Sequence, residues 1–136
     1  MQAAVDLFGP TDFLKMDEQL AESGMIPHDA DSHSASDSPE SLLLGRKITE
    51  IPDLVRSANP ETYIHPNIPP CFIQHGTKDV TVPYQQSSNF AAKANAMQGS
   101  KKVTLELIPD ALHADPRFES PENIKKVLDF LDQYLK

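Results

Sequence analysis

Cys71-Phe72-Ile73-Gln74-His75-Gly76-Thr77-Lys78-Asp79-Val80-Thr81-Val82-Pro83 is the stretch on which the reading of this chain turns. An apolar run that enters His-Gly and then a polar turn with a single acid predicts a buried strand over about 71–75, ended by a sharp loop. In open parallel sheets ligands bind beyond the carboxyl ends of the strands, so Asp79 falls on the edge where chemistry is expected. Val82-Pro83 closes the loop and starts a helix of about 83–97, because the fixed φ of proline suits a first helical turn. A second strand, Val103 to Ile108, runs into Pro109-Asp110-Ala111-Leu112-His113. Two neighbouring strand ends therefore offer an acid and an imidazole to one another.

Upstream, Ala3 to Phe8 is a short apolar strand ended by Gly9-Pro10, and Thr11 is placed to cap a helix from Leu14 to Gln19. Residues 23–38 turn polar and irregular and read as a surface loop. Ser38-Pro39-Glu40 opens a short helix over Ser41 to Leu44, with Gly45 beyond its end. Pro52 to Ala58 is another, stopped by Asn59-Pro60, since the residue before a proline is pushed out of helical geometry. In the helix after Asp79, the spacing of Phe90, Ala94 and Met97 predicts one buried face. The last helix, about 121–135, is capped by Ser120 and carries an apolar stripe of Ile124, Val127, Leu128, Leu131 and Leu135. Three strands (about 3–8, 71–75 and 103–108), each followed by helical material, give an α/β fold with a parallel sheet and right-handed crossovers. That handedness places the helices after the first two strands on one face and leaves the other face to the last helix.

A chain of 136 residues is one domain. Its net charge of −8 lacks the Lys and Arg cluster that a phosphate-binding surface needs, which argues against nucleic acid. No stretch approaches the roughly 18 apolar residues of a membrane span. A single cysteine, Cys71, rules out an internal disulfide and reads as a buried packing residue. His28, Asp29, Asp31 and His33 lie in a Ser-rich loop without the rigid turns and supporting bonds that metal sites use, so neither a metal nor another cofactor is expected.

The segment His75-Gly76-Thr77-Lys78-Asp79-Val80-Thr81-Val82-Pro83, followed by helix, strand, a His-bearing loop and a final helix, resembles the C-terminal portion of an α/β-hydrolase of the esterase/lipase kind. With Gly9-Pro10-Thr11-Asp12-Phe13 after the opening strand, it is similar to bacterial carboxylesterases that include feruloyl- and acetyl-xylan-esterase-like members. The resemblance implies the order Ser, acid, His, with Asp79 as the acid and His113 as the base of a Ser-His-Asp triad. It also implies that the Gly-x-Ser-x-Gly turn and the oxyanion segment precede residue 1, and no Gly-x-Ser-x-Gly occurs within the chain. Ser87 and Ser88 read as helix-start residues, and His75 as a structural residue. The family's glycines before the His are replaced by Asp110, Ala111 and Leu112. Asp tolerates left-handed backbone, so Asp110 is expected to take the glycine's role, while Leu112 either packs or narrows an acyl pocket. Asp115 and Arg117 read as loop anchors.

The first strand would lack its neighbour in such a portion, so association through the Ala3–Phe8 edge is expected, with a second copy or with an N-terminal half. Three readings follow. The chain is part of a serine esterase acting on a small-molecule ester; or a dimerisation module derived from that fold; or an independent enzyme with an unrecognised nucleophile. Localisation is not legible from the residues.

Overall fold

A computed structural model describes residues 1–25, 32–98 and 102–135. Three parallel strands, β1 (Ala4–Leu7), β2 (Cys71–Gly76) and β3 (Val103–Ile108), form one sheet in the order β1-β2-β3. Ala4 lies beside Cys71, and Cys71 beside Val103, so the carboxyl ends of the three strands are aligned. All six residues of β2 are buried, as a central strand covered on both faces requires. The three strands and their parallel direction match the reading from sequence, with β1 shortened because Phe8 already leaves extended geometry at φ 53°.

The helices are α1 (Met16–Glu22), α2 (Pro39–Leu44), α3 (Pro52–Ala58), α4 (Gln85–Gln98) and α5 (Pro121–Asp132). Local signals account for several of their ends. Ser38 and Ser120 each accept an amide in the first turn, from Ser41 and Asn123, and Gly45 terminates α2 at φ 78°, which costs glycine nothing. On α4 the buried apolar positions are Ala91 and Ala94, which meet Ile68, Cys71, Ile73 and Val103 against one face of the sheet. Phe90 joins this core at its margin. Met97, expected on the same face, is 51% exposed, because the true period carries the buried face through Ala91 and Ala94 and leaves Met97 on the flank.

Thr11 is not a helix cap. A 3-10 turn, Phe13–Lys15, precedes α1, and the Thr11 hydroxyl donates instead to the Gln86 carbonyl at 3.0 Å. Gln86 is the hub of this junction: its side-chain oxygen accepts from the amides of Thr11 and Asp12 at 2.8 and 2.7 Å, and its amide donates to Gln19 at 2.6 Å. The helices that follow β1 also depart from the expected layer. They are too short to span the sheet, and Phe13, Met16, Ile48 and Val55 close a second core on Val82, in the loop beyond the carboxyl end of β2. Met16 and Ile48 are fully buried there, each worth about 2–3 kcal/mol of hydrophobic stabilisation.

α5 covers the opposite face, but not through its whole apolar stripe. Gln74 and Asn123 exchange reciprocal amide bonds of 2.6 and 2.8 Å, and Phe72 meets Phe130 at 5.6 Å. That buried amide pair fixes the rotation of the helix. Val127 and Leu131 are half-buried, whereas Ile124, Leu128 and Leu135 are exposed.

His33 is also not on a surface loop. The Asp17 carboxylate accepts from the amides of His33 and Ser34 at 2.7 and 3.0 Å and from the Ser32 hydroxyl at 3.1 Å, which draws His33 inward to 8% exposure. His28, Asp29 and Asp31 lie outside the described residues.

Candidate active site

Asp79 sits in the loop beyond β2, and its two oxygens have different work. Oδ1 accepts from the amides of Thr81 and Val82 at 2.9 and 2.8 Å, so the turn the acid initiates also fixes its plane. Oδ2 faces the loop after β3, where His113 Nδ1 lies 2.8 Å away. The carboxyl is fully buried, and burial by itself would push its pKa up. Hydrogen bonding from His75, the Val82 amide and His113 outweighs that penalty and leaves it below the ordinary value of 3.8. Asp79 is thus held as an anion.

The carboxylate accepts only, so His113 carries its proton on Nδ1 and presents the lone pair of Nε2. Among the described residues nothing bonds that Nε2, and the side chain is one-third exposed. Left-handed backbone surrounds it: Asp110 at φ 59°, as the missing glycine predicts, and Ala114 at φ 51°. Arg117 staples the same loop, donating from Nε to Asp115 at 2.9 Å and from Nη1 to the Pro109 carbonyl at 2.8 Å. This bond to Arg117 holds the Asp115 carboxyl well below its usual range. Asp115 and Arg117 anchor the loop in this way.

Two contributors were not legible in advance. Phe8, a bulky residue in left-handed backbone, puts its ring edge-to-face on His113 at 4.8 Å and on Phe118 at the same distance. The positive φ leaves no trace in sequence for a residue other than Gly, Asn or Asp. Gly76 owes its identity to a close approach: a Cβ there would collide with the Ala111 carbonyl oxygen, so only glycine lets the Asp79 and His113 loops touch.

Ser87 and His75 form a second constellation. Ser87 Oγ is 2.6 Å from His75 Nδ1, and His75 Nε2 is 2.8 Å from the Val82 carbonyl and 3.3 Å from Asp79 Oδ2. Ser, His and Asp are in line, yet all three are fully buried, so no ester carbonyl can reach the Ser87 hydroxyl. Ser88 forms no comparable bond among the described residues. Leu112 is 53% exposed and lines, with Thr77, Lys78, Val80, Tyr84 and Leu107, a cavity of about 620 Å³ beside the two loops. Among the described residues no three His, Cys, Asp or Glu side chains gather as a metal site. His33 is engaged by Glu40 at 3.2 Å and by the Thr81 carbonyl at 2.8 Å.

Three parallel strands with flanking helices are an α/β-hydrolase arrangement, and the family and relatives that the chain matches make it esterase-like. The BD-FAE family model matches residues 1–94, and the chain belongs to that family. The matched range contains Asp79 and ends before His113. Esterase LipQ of Mycobacterium tuberculosis (strain ATCC 25618 / H37Rv) is 36% identical over 75 residues, which is 55% of this chain and 18% of LipQ. The chain therefore matches less than a fifth of that relative's length. Among solved structures, a bifunctional GH43-CE of Bacteroides eggerthii superposes with a TM-score of 0.78 at 28% identity, over 98% of this chain and 15% of that one. A truncated form of a carbohydrate esterase from gut microbiota gives 0.76 at 28% identity, over 98% and 42%.

Proposed function

We propose that this chain is the C-terminal portion of a serine hydrolase of carboxylic esters, and that it supplies the acid and base of the triad. The observation that carries the reading is the 2.8 Å contact of Asp79 Oδ2 with His113 Nδ1, made by a carboxylate whose other oxygen is saturated by two amides. In this arrangement His113 Nε2 takes the proton from a serine hydroxyl as it attacks the ester carbonyl. Asp79 stabilises the imidazolium, and His113 then returns the proton to the leaving alcohol. The serine and the oxyanion donors come from residues outside this chain. The names of its relatives, an esterase and a carbohydrate esterase, support a carboxylic ester as the substrate class, with sugar-linked esters favoured.

The free edge of β1 and the exposed Ile124, Leu128 and Leu135 of α5 are the surfaces by which the remaining part of the hydrolase, or a second copy, attaches. The alternative, a non-catalytic association module, uses the same surfaces and gives no purpose to the ordered acid–imidazole pair. Incubation with a fluorophosphonate and a short-chain aryl ester tests the proposal. The 136-residue chain alone should neither be labelled nor turn over ester, and a longer protein carrying the Ser turn should do both. Labelling of the isolated chain would overturn it.

A further inference from the structure

We propose that His75 is a positioning residue for the Asp79–His113 pair, with its ring held in place by Ser87; this rests on the reading of that pair given above. His75 stands at the end of β2 with no exposed surface, and each ring nitrogen has a partner. The Val82 carbonyl and the Asp79 carboxylate, both on the Nε2 side, can only accept, so the proton is on Nε2. The Ser87 hydroxyl, 2.6 Å from Nδ1, is then the donor. The result is one line of polar groups from Ser87 on α4 through His75 and Asp79 to His113.

A histidine that merely fills the core needs two partners anywhere. Here one partner is the turn that holds the acid: Val82 gives its amide to Asp79 Oδ1 at 2.8 Å and its carbonyl to His75 at 2.8 Å. Oδ2 is likewise approached from two sides, by His113 at 2.8 Å and by His75 at 3.3 Å. His75 therefore braces both the backbone that aims the carboxylate and the oxygen that receives the His113 proton. With the other tautomer, a lone pair would face two acceptors, and the turn would be pushed away from β2. The two acceptors exclude that tautomer, and the Ser87 hydroxyl, which never meets solvent, holds the ring against them.

Long-range proton–nitrogen spectra of the imidazole rings in the 136-residue chain test this. Wild type should show His75 protonated at Nε2 and His113 at Nδ1, the latter with a downfield, slowly exchanging proton. Ser87→Ala removes one oxygen and adds no bulk; it should leave the His75 proton on Nε2, free the ring to rock and broaden the His113 Nδ1 proton. Ser88→Ala should change neither. In the longer enzyme, Ser87→Ala should lower kcat on the order of tenfold at unchanged KM, the signature of a misaimed group. A His113 signal that disappears in Asp79→Asn but is untouched by Ser87→Ala overturns the role of His75 and leaves the pair standing. A His113 signal indifferent to Asp79→Asn overturns the pair itself.

Discussion

Two histidine–carboxylate pairs flank the same short turn, and they are built to opposite ends. His113 meets Asp79 at 2.8 Å and His33 meets Glu40 at 3.2 Å, each through Nδ1. The second nitrogen separates them: His33 spends Nε2 on the Thr81 carbonyl, whereas His113 Nε2 is unengaged among the described residues. Their carboxylates differ too. The spare oxygen of Asp79 takes two amides, while Glu40 Oε2 is buried without a partner among the described residues. One pair is a clamp that ties the 32–44 region to the Asp79 turn; the other leaves Nε2 without a partner among the described residues, as the proposed general base requires. Residue type and contact distance are nearly the same in both, so what sets the proposed catalytic pair apart is the bond left unmade.

The sharpest break in that comparison is Asp79→Asn. In the longer enzyme carrying the nucleophile it should lower kcat by about 10⁴-fold, because the amide no longer fixes the imidazole tautomer, whereas Glu40→Gln should leave kcat within a few-fold. Steady-state ester kinetics decide between these outcomes. Gly76→Ala should come next: a methyl group driven against the Ala111 carbonyl forces the two loops apart, at about 3 kcal/mol in urea unfolding.

Glu40→Gln acts on stability and with a defined pH dependence. Burial alone would lower the His33 pKa, but Glu40 outweighs it and leaves it raised above 6.5. Burial would raise the Glu40 pKa, and the bond from His33 leaves it lowered below 4.5. The His33 contribution is complete below pH 6.5 and fades as pH rises through its folded-state value; that of Glu40 is complete above pH 4.5 and fades as pH falls through its own. The loss in Glu40→Gln should therefore be greatest between pH 4.5 and 6.5, at about 2 kcal/mol, and shrink at alkaline pH. Equal losses at pH 5.5 and pH 9 would show that the pair is not ionic. Smallest is Ser38→Ala, which removes the cap that starts α2 behind Glu40 and should cost about 1 kcal/mol by thermal unfolding.

What was legible in the sequence was local. The strand 71–75, the span Pro52–Ala58 and the Ser38 and Ser120 caps follow from neighbouring residues, and the order of Asp79 and His113 from their places after two apolar runs. What was hidden depends on partners far along the chain. Thr11 looks like a cap until Gln86, 75 residues away, takes its hydroxyl. His33 looks like a loop residue until Asp17 and Thr81 draw it in. The α5 stripe has correct helical spacing, yet the Gln74–Asn123 amide pair selects which side faces the sheet. Phe8 was hidden for another reason: its positive φ, which a bulky residue rarely adopts, accompanies ring contacts with His113 and Phe118 more than 100 residues away.

The most direct test of the central claim is a double-mutant cycle on Asp79 and His113 in the enzyme with its nucleophile present. If the two act as one unit, Asp79→Asn, His113→Gln and the double variant should all lose activity to within a few-fold of one another, because removing the second member of a broken pair takes little more away. Losses that multiply in the double variant, or a His113→Gln enzyme that retains near-normal kcat, would contradict it.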